Sequence, residues 1–230
     1  MNSAMRIGVV LPVFNGAPYL SEALDSIAAQ TLQPSDVVAV DDGSTDRSPQ
    51  ILREHGIRVL HTDRVGQALA RDHGIKAVDG EVLAFLDQDD RWCPDKLTHQ
   101  LAVLEAQPHI DFVGSLCTTF LQPGTQRPPW WKPDWDDGAP EPSLAPGATL
   151  YRRNAFASIG GFHTPGIQIS EDVAWTARAH DAGLRSTLVD QVLLERRIHG
   201  DNTSRDQVLR VREHLAIARA SIARKRATDG

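Results

Sequence analysis

Short apolar runs alternate along the chain with segments of helical period. Arg6–Leu11 (RIGVVL) has the continuous apolar character of a buried strand. Behind Pro18, a favoured first-turn residue, Leu20, Ala23, Leu24, Ile27 and Ala28 recur at helical spacing. Val37–Val40 predicts a second strand, followed by a helix running toward His55 with Ser44 or Asp46 as its cap, and Ile57–His61 predicts a third strand. A helix over Val65–Val78, a buried strand over Val82–Leu86, a helix over Asp95–Ala106 and a strand over Phe112–Phe120 continue the series. Repeated βα units predict an α/β fold with a mostly parallel central sheet, helices on both faces and ligands at the carboxyl ends of the strands.

The pattern changes after Phe120. Between Gln122 and Pro146 fall seven of the 14 prolines and three of the five tryptophans, so this stretch is a long loop or lid, not a central strand or regular helix. A strand-like ATLYR, a helix around Asn154–Ile159, a Gly160–Gly161 break, a helix from Glu171 to about Ala182 and two short apolar runs follow. A terminal helix begins at Asp206, with Val208, Val211, Leu215, Ala218 and Ile222 on one stripe and Arg210, Arg212, Arg219, Arg224, Lys225 and Arg226 elsewhere. Such a helix can lie on an anionic membrane, or dock its stripe on the body or on a second subunit. Residues 1–120 and 121–204 then form two halves of one domain, with 205–230 as a C-terminal helix.

Charge and cysteine content narrow the classes. With 24 basic and 30 acidic side chains the formal charge is −6, which argues against broad binding to nucleic acid and leaves any anionic ligand to be held locally. Cys93 and Cys117 have no paired spacing, so neither a disulfide framework nor a structural zinc site is indicated. No leader pattern and no run of eighteen apolar residues is visible, so the expected place is the cytoplasm, with peripheral contact at the inner membrane face open to the last helix.

The chemistry concentrates where VLAFLDQDDRW drives a buried run into Asp87, Asp89 and Asp90. Crowded carboxylates raise one another's pKa, so a cation or donors are expected there. An extended Asp-x-Asp puts Asp87 and Asp89 on one side, able to converge on a hard cation, with Asp90 free to cap the following helix. A second pair, Asp41–Asp42, ends another strand in VVAVDDGSTD. Either pair alone reads first as capping or loop chemistry, since Asp is a favoured cap and turn residue; both at strand ends point to a site.

From LPVFNGAPYLSEALDSIAAQT through VVAVDDGSTDRS, GQALARDHGIKAVDGEVLAFLDQDDRW and GATLYRRNAFASIGGF to SEDVAWTARAHDAG and RRIHGDNTS, the chain resembles the inverting glycosyltransferases of family 2, which have the GT-A nucleotide-sugar-binding fold. The resemblance covers nearly everything up to Ser204. It implies that DQDD is the DXD motif holding a nucleoside-diphosphate sugar, most often a UDP-sugar, through Mn²⁺ or Mg²⁺. Pro12, Phe14 and Asn15 would border the nucleotide, Asp42 would accept from the base with Asp41 supporting its loop, and Gly66 would admit the phosphates closely. Arg71 would sit near the sugar or diphosphate, although this chain has Asp72 where many relatives carry Asn. Asp87 and Gln88 would lie at the nucleotide sugar, and Asp89 would bind the metal with His199, Arg197 standing beside it.

The same resemblance makes Asp172 the base that takes the acceptor proton, with Glu171 in support; read without the upstream motifs, Ser170 is a helix cap and Glu171 and Asp172 complement the helix dipole. Trp130, Trp131 and Trp135 could stack on acceptor sugars beside Gly147, or simply pack back on the body. The acceptor is a glycan, a lipid-linked glycan or another hydroxyl compound. The alternative is a non-catalytic nucleotide-sugar-binding or partner protein that keeps the shape of the site; the intact SED and DQDD motifs argue against it. A metal-dependent hydrolase would have no use for an Asp at the base-reading position.

Overall fold

The computed structural model describes residues 5–127, 138–200, 202 and 206–228. Its centre is β1 (Ile7–Val13), buried at all seven positions, as a strand covered on both faces must be. The period of two sorts its side chains. Ile7, Val9, Leu11 and Val13 join the apolar layer under α1 (Leu20–Ala28), whereas Val10 enters an opposite layer with Phe85, Phe156, Phe162 and Trp175.

Then follow β2 (Asp36–Asp41), α2 (Ser48–Glu54), β3 (Arg58–His61), α3 (Gln67–Ala77) and β4 (Val82–Phe85). The four strands are parallel in the order β3-β2-β1-β4, so the chain reverses its direction of travel across the sheet beside β1. A crevice at the carboxyl ends is the geometric result. At Gly74 a Cβ would overlap Val10, so the glycine lets α3 lie close on β1.

The second half is β5 (Arg91–Trp92), α4 (Lys96–Ala106), β6 (Phe112–Leu121), β7 (Glu141–Ser143), a 3₁₀ turn at Pro146–Ala148, β8 (Leu150–Arg152), α5 (Arg153–Ile159), α6 (Glu171–Asp181), β9 (Ser186–Ile198) and α7 (Gln207–Thr228). β8 inserts antiparallel between β4 and β6, β9 runs parallel to β6, and one sheet therefore continues past residue 120. The α/β expectation stands.

Four local expectations change. The two apolar runs after α6 are a single 13-residue strand, because polar Asp190 and Gln191 sit in a bulge where the register against β6 shifts instead of ending the strand. The proline-rich stretch ends in β7, which among the described residues pairs with β6 alone, so Pro142 occupies an edge where its missing N–H does no harm. Asp90 does not cap α4: β5 intervenes, and the buried carboxylate accepts the Arg197 N–H at 2.8 Å. The stripe on α7 does not dock on the body. Val208 is 82% and Leu215 56% exposed, and the opposite face, with Glu213 at 3% and Ile217 at 8%, packs inward. Polar anchors set that rotation: Asp181 takes Ser221 at 2.8 Å and Arg224 at 2.9 Å, and Glu213 accepts the Gln168 N–H at 2.6 Å.

A buried network joins α4 to the 3₁₀ turn. Lys96, fully buried, donates to Gln100 Oε1 at 2.6 Å, and Gln100 donates to the Val113 and Ala148 carbonyls. Trp92 lies under the Lys96 ammonium and donates to the Gly147 carbonyl at 2.9 Å. Burial pulls the Lys96 ammonium down to about 7 from 10.5. Between those values the unfolded chain keeps the proton that the folded one releases, so this group's contribution to stability rises with pH across the window and is lost as pH falls through 7. The stability of the parent over Lys96→Met should therefore climb by about 1.4 kcal/mol per pH unit between about pH 7.5 and 9.5 in urea unfolding. Parallel pH curves for the two proteins would mean that Lys96 stays charged in the fold.

Candidate active site

Where β1 ends, backbone amides lose their ladder partners and take side-chain acceptors instead. Phe14 donates to Gln88 Oε1 at 2.8 Å, Asn15 to Ser44 Oγ at 3.0 Å, Gly16 to Ser48 Oγ at 2.9 Å and Ala17 to Asp46 Oδ2 at 2.9 Å. Asn15 itself, at φ 49°, accepts the Thr45 N–H at 2.8 Å. The Ser/Thr/Asp cluster after β2 thus holds the first loop; Asp46 also accepts the Ser48 N–H at the entrance to α2, whereas Ser44 is turned to Asn15. Phe14 remains half exposed under the Arg64 guanidinium.

Asp42 takes the Thr62 hydroxyl at 2.7 Å and the Val65 N–H at 2.8 Å on one oxygen, and the Gly66 N–H at 2.8 Å on the other. Against the upward push of burial these donors hold its carboxyl below the ordinary range. Gly66 has φ 89°, a conformation open to glycine, and so brings its amide to Asp42 at the start of α3. Asp41 lies behind, accepting the Ser44 N–H at 3.0 Å, with His61 at 3.3 Å.

Asp87 follows β4 and accepts from Arg71 at 2.6 Å and Gln67 at 3.0 Å. The other arm of Arg71 reaches Glu171 at 2.7 Å, at the first turn of α6. Arg71 is 2% exposed, so its guanidinium is committed to two carboxylates on either side of the cleft. Desolvation lowers and the two carboxylates raise its pKa, with a net rise; burial pushes Glu171 up against the opposing pull of Arg71. Asp72 turns away from the cleft and accepts the Phe162 and His163 N–H groups at 2.7 and 3.0 Å, fixing the turn after Gly161.

Asp89 Oδ2 lies 2.9 Å from His199 Nε2 and 3.3 Å from Asn202 Nδ2. Arg197, also buried, donates to the Asp89 carbonyl at 2.9 Å and to Glu22 at 2.7 Å. Burial and the neighbouring Asp89 and Asp87 push Asp90 well above the carboxylate range. Ser170 stands before α6 but makes no side-chain cap; its buried hydroxyl has no partner among the described residues, so the capping reading of that serine fails. Asp172 is half-buried beside the cleft, and its Oδ1 accepts the Val173 N–H at 2.8 Å.

One cleft of about 720 Å³ gathers these groups. Its lining takes Pro12, Phe14, Asn15, Asp42 and Gly66 from the end of β1, the loops after β1 and β2 and the start of α3, Arg71 from α3, Asp87, Gln88 and Asp89 from the turn after β4, Gly147 from the 3₁₀ turn, Glu171 and Asp172 from α6, and His199 from the end of β9. Asp41 stands outside the lining. Trp130, Trp131 and Trp135 lie outside the described residues. Sequence reading missed Gln67, Tyr19 and Arg196, which also line the cleft, because a helical Gln, a helix-flanking Tyr and a strand Arg carry no signature. Asn202 stood in view in RRIHGDNTS but without an assigned partner.

The glycosyl transferase family 2 model matches residues 8–162. An uncharacterized glycosyltransferase of Nostoc sp. is 36% identical over 54% of this chain and 42% of its own length, and the uncharacterized glycosyltransferase EpsJ of Bacillus subtilis 32% over 53% and 36%. The matches thus span well under half of these relatives. Among solved structures, S. aureus TarS in complex with UDP superposes with TM-score 0.67 at 24% identity, covering 84% of this chain and 61% of that one. The mannosyltransferase PcManGT of Pyrobaculum calidifontis, in complex with GDP-Man and Mn²⁺, does so with TM-score 0.73 at 20% identity, covering 96% and 65%. The fold is that of the GT-A glycosyltransferases. The chain belongs to glycosyltransferase family 2.

Removing the cation at the centre of this site should be felt in stability. Arg71→Met leaves Asp87 and the buried Glu171 without their counter-charge and should cost about 3–5 kcal/mol in urea unfolding. Adding Glu171→Gln should restore part of it. Additive losses in the double variant would deny the coupling.

Proposed function

We propose that this chain transfers a sugar from a nucleoside-diphosphate sugar, a UDP-sugar, to a hydroxyl acceptor with inversion by metal-assisted direct displacement. One observation carries the reading: Asp172 and the Asp89–His199 pair line the same cleft, with Arg71 joining Asp87, at the end of β4, to Glu171, the residue before Asp172 on α6.

The residues fit a divalent cation. Three carboxylates crowd at the end of β4, Asp90 is pushed up by burial and by its neighbours, and an oxygen of Asp89 meets an imidazole nitrogen. Among the described residues no group of three or more His, Cys, Asp or Glu is placed to hold an ion by itself. Mg²⁺ and Mn²⁺ take one or two protein ligands and the rest from phosphates and water, so the carboxylate and imidazole of this pair would be the protein's share. Asp89 and His199 would hold the ion, and when bound it supplies Lewis-acid stabilisation of the departing diphosphate. The Mn²⁺ in the PcManGT complex and the UDP in the TarS complex support this reading by similarity.

The chain's own groups divide the remaining work. Asp42 is held ionised, and its Oδ2 accepts only the Gly66 amide among the contacts of that loop, leaving a lone pair for a uracil N–H. Phe14 with Arg64 offers a flat edge to the base. Asp172 takes the proton from the acceptor hydroxyl as that oxygen bonds to the anomeric carbon and the carbon–oxygen bond to the diphosphate breaks. Arg71 and Glu171 fix the first turn of α6 and so the place of Asp172. Gly147, pinned by Trp92, forms the acceptor-side wall, where a glycan, lipid-linked or other hydroxyl compound would enter.

Two variants separate these roles. Asp172→Asn, nearly isosteric and poorly basic, should retain Mn²⁺-dependent UDP binding by calorimetry while transfer falls by about 10² or more. Parental transfer rates in that variant would remove Asp172 from the mechanism. Asp89→Ala should abolish Mn²⁺-dependent UDP binding, and an unchanged affinity would sink the metal assignment.

A further inference from the structure

We infer that the outer face of α7 is a docking surface for an anionic phospholipid bilayer. The helix is already fastened by its inner face: Glu213 accepts the Gln168 and Ile169 N–H groups at 2.6 and 3.2 Å, and Ser221 and Arg224 bind Asp181. A second apolar face is therefore not needed to hold it. Yet Val208, Val211, Leu215 and Ile222 are 82, 58, 56 and 52% exposed. With Ala218 they recur in steps of three and four, forming one ridge along a helix of 22 residues, about 33 Å long.

That spacing is also the seam of a coiled coil, so charge decides the occupant. Arg212, Arg219 and Arg226 recur every seventh residue and form an exposed row along one flank of the ridge. Pairing two copies in parallel would set this row against Gln207, His214 and Ser221 of the second copy; pairing them antiparallel would set it against itself. No carboxylate meets the arginines either way, because Glu213 is the only acidic residue of α7 and faces inward. An anionic surface satisfies both parts of the face. The aliphatic ridge enters the acyl boundary, and the long arginine stems carry their guanidinium groups up to the phosphates. A chain of net charge −6 would otherwise be repelled from such a surface, so the localised row is what permits contact. The grip of Glu213 on the backbone just before Ser170 places this surface on the α6 side of the cleft. On the transferase reading, a membrane-borne acceptor would then arrive beside Asp172; binding to the surface itself does not rest on that reading.

Sedimentation of the full chain with phosphatidylcholine vesicles, with and without phosphatidylglycerol, tests the inference, and melting temperature controls for folding. Binding should require the anionic lipid and weaken with salt. Replacing Arg212, Arg219 and Arg226 together by Gln should lower partitioning roughly 100-fold, the effect of about three interfacial cations. Leu215→Glu with Ile222→Glu should abolish it at an unchanged melting temperature. Absence of binding to the anionic vesicles, or binding untouched by both sets of changes, overturns the proposal. So does a concentration-dependent dimer in light scattering that Leu215→Glu dissolves, which would assign the ridge to a second copy.

Discussion

The arrangement of the cleft depends on one buried cation. Arg71 projects from α3 into a space where Asp87, at the end of β4, and Glu171, at the first turn of α6, would otherwise repel each other across the crevice. A guanidinium suits the position because its fork satisfies two carboxylates in different directions without losing its charge. The pair with Glu171 is almost fully desolvated, so each member is far more costly alone than together. The three elements are thereby held in one geometry. Whatever binds in the cleft meets Asp87 and the first turn of α6 already fixed relative to each other.

The sheet makes that bridge reachable. Gly74 allows α3 to settle against Val10, which brings Arg71 over the carboxyl end of β1 and β4. On the far side, Phe162 and Trp175 pack with Phe85 and Phe156, and the Trp175 indole donates to the Gly160 carbonyl at 3.0 Å. This aromatic layer sets the height of α6 above the sheet. Asp72 contributes from the neighbouring position on α3 by fixing the Phe162 turn, so adjacent residues of one helix serve the cleft and the scaffold respectively.

Much of this was legible in the sequence because strand ends carry strong local marks. Val82–Leu86 followed by carboxylates, and Val37–Val40 followed by Asp41 and Asp42, announce both the strand and the place where its ligands gather. The role of Arg71 was not legible, since its partner Glu171 lies 100 residues away and helical periodicity shows only that the side chain is polar. Two apolar runs separated by Asp190 and Gln191 look like two strands; only pairing with β6 shows that the polar residues occupy a bulge. Asp90 looked like a helix cap because Asp is common there, but the backbone of Arg197 competes for it from β9.

The terminal helix shows most clearly why an apolar stripe does not by itself choose a docking face. Burying four aliphatic side chains would be worth several kcal/mol, yet α7 is rotated so that Val208, Val211, Leu215 and Ile222 point outward. The inner face instead makes specific polar contacts: Glu213 with the Gln168 and Ile169 amides in the loop before α6, and Ser221 and Arg224 with Asp181 at its end. Hydrogen bonds to the Glu213 and Asp181 carboxylates are charge-assisted, and together they are worth an amount comparable to the gain from the aliphatics; their partners sit at fixed places before and at the end of α6. Hydrophobic burial has no such address. The polar contacts therefore choose the rotation, and the apolar ridge is left for a surface outside the chain.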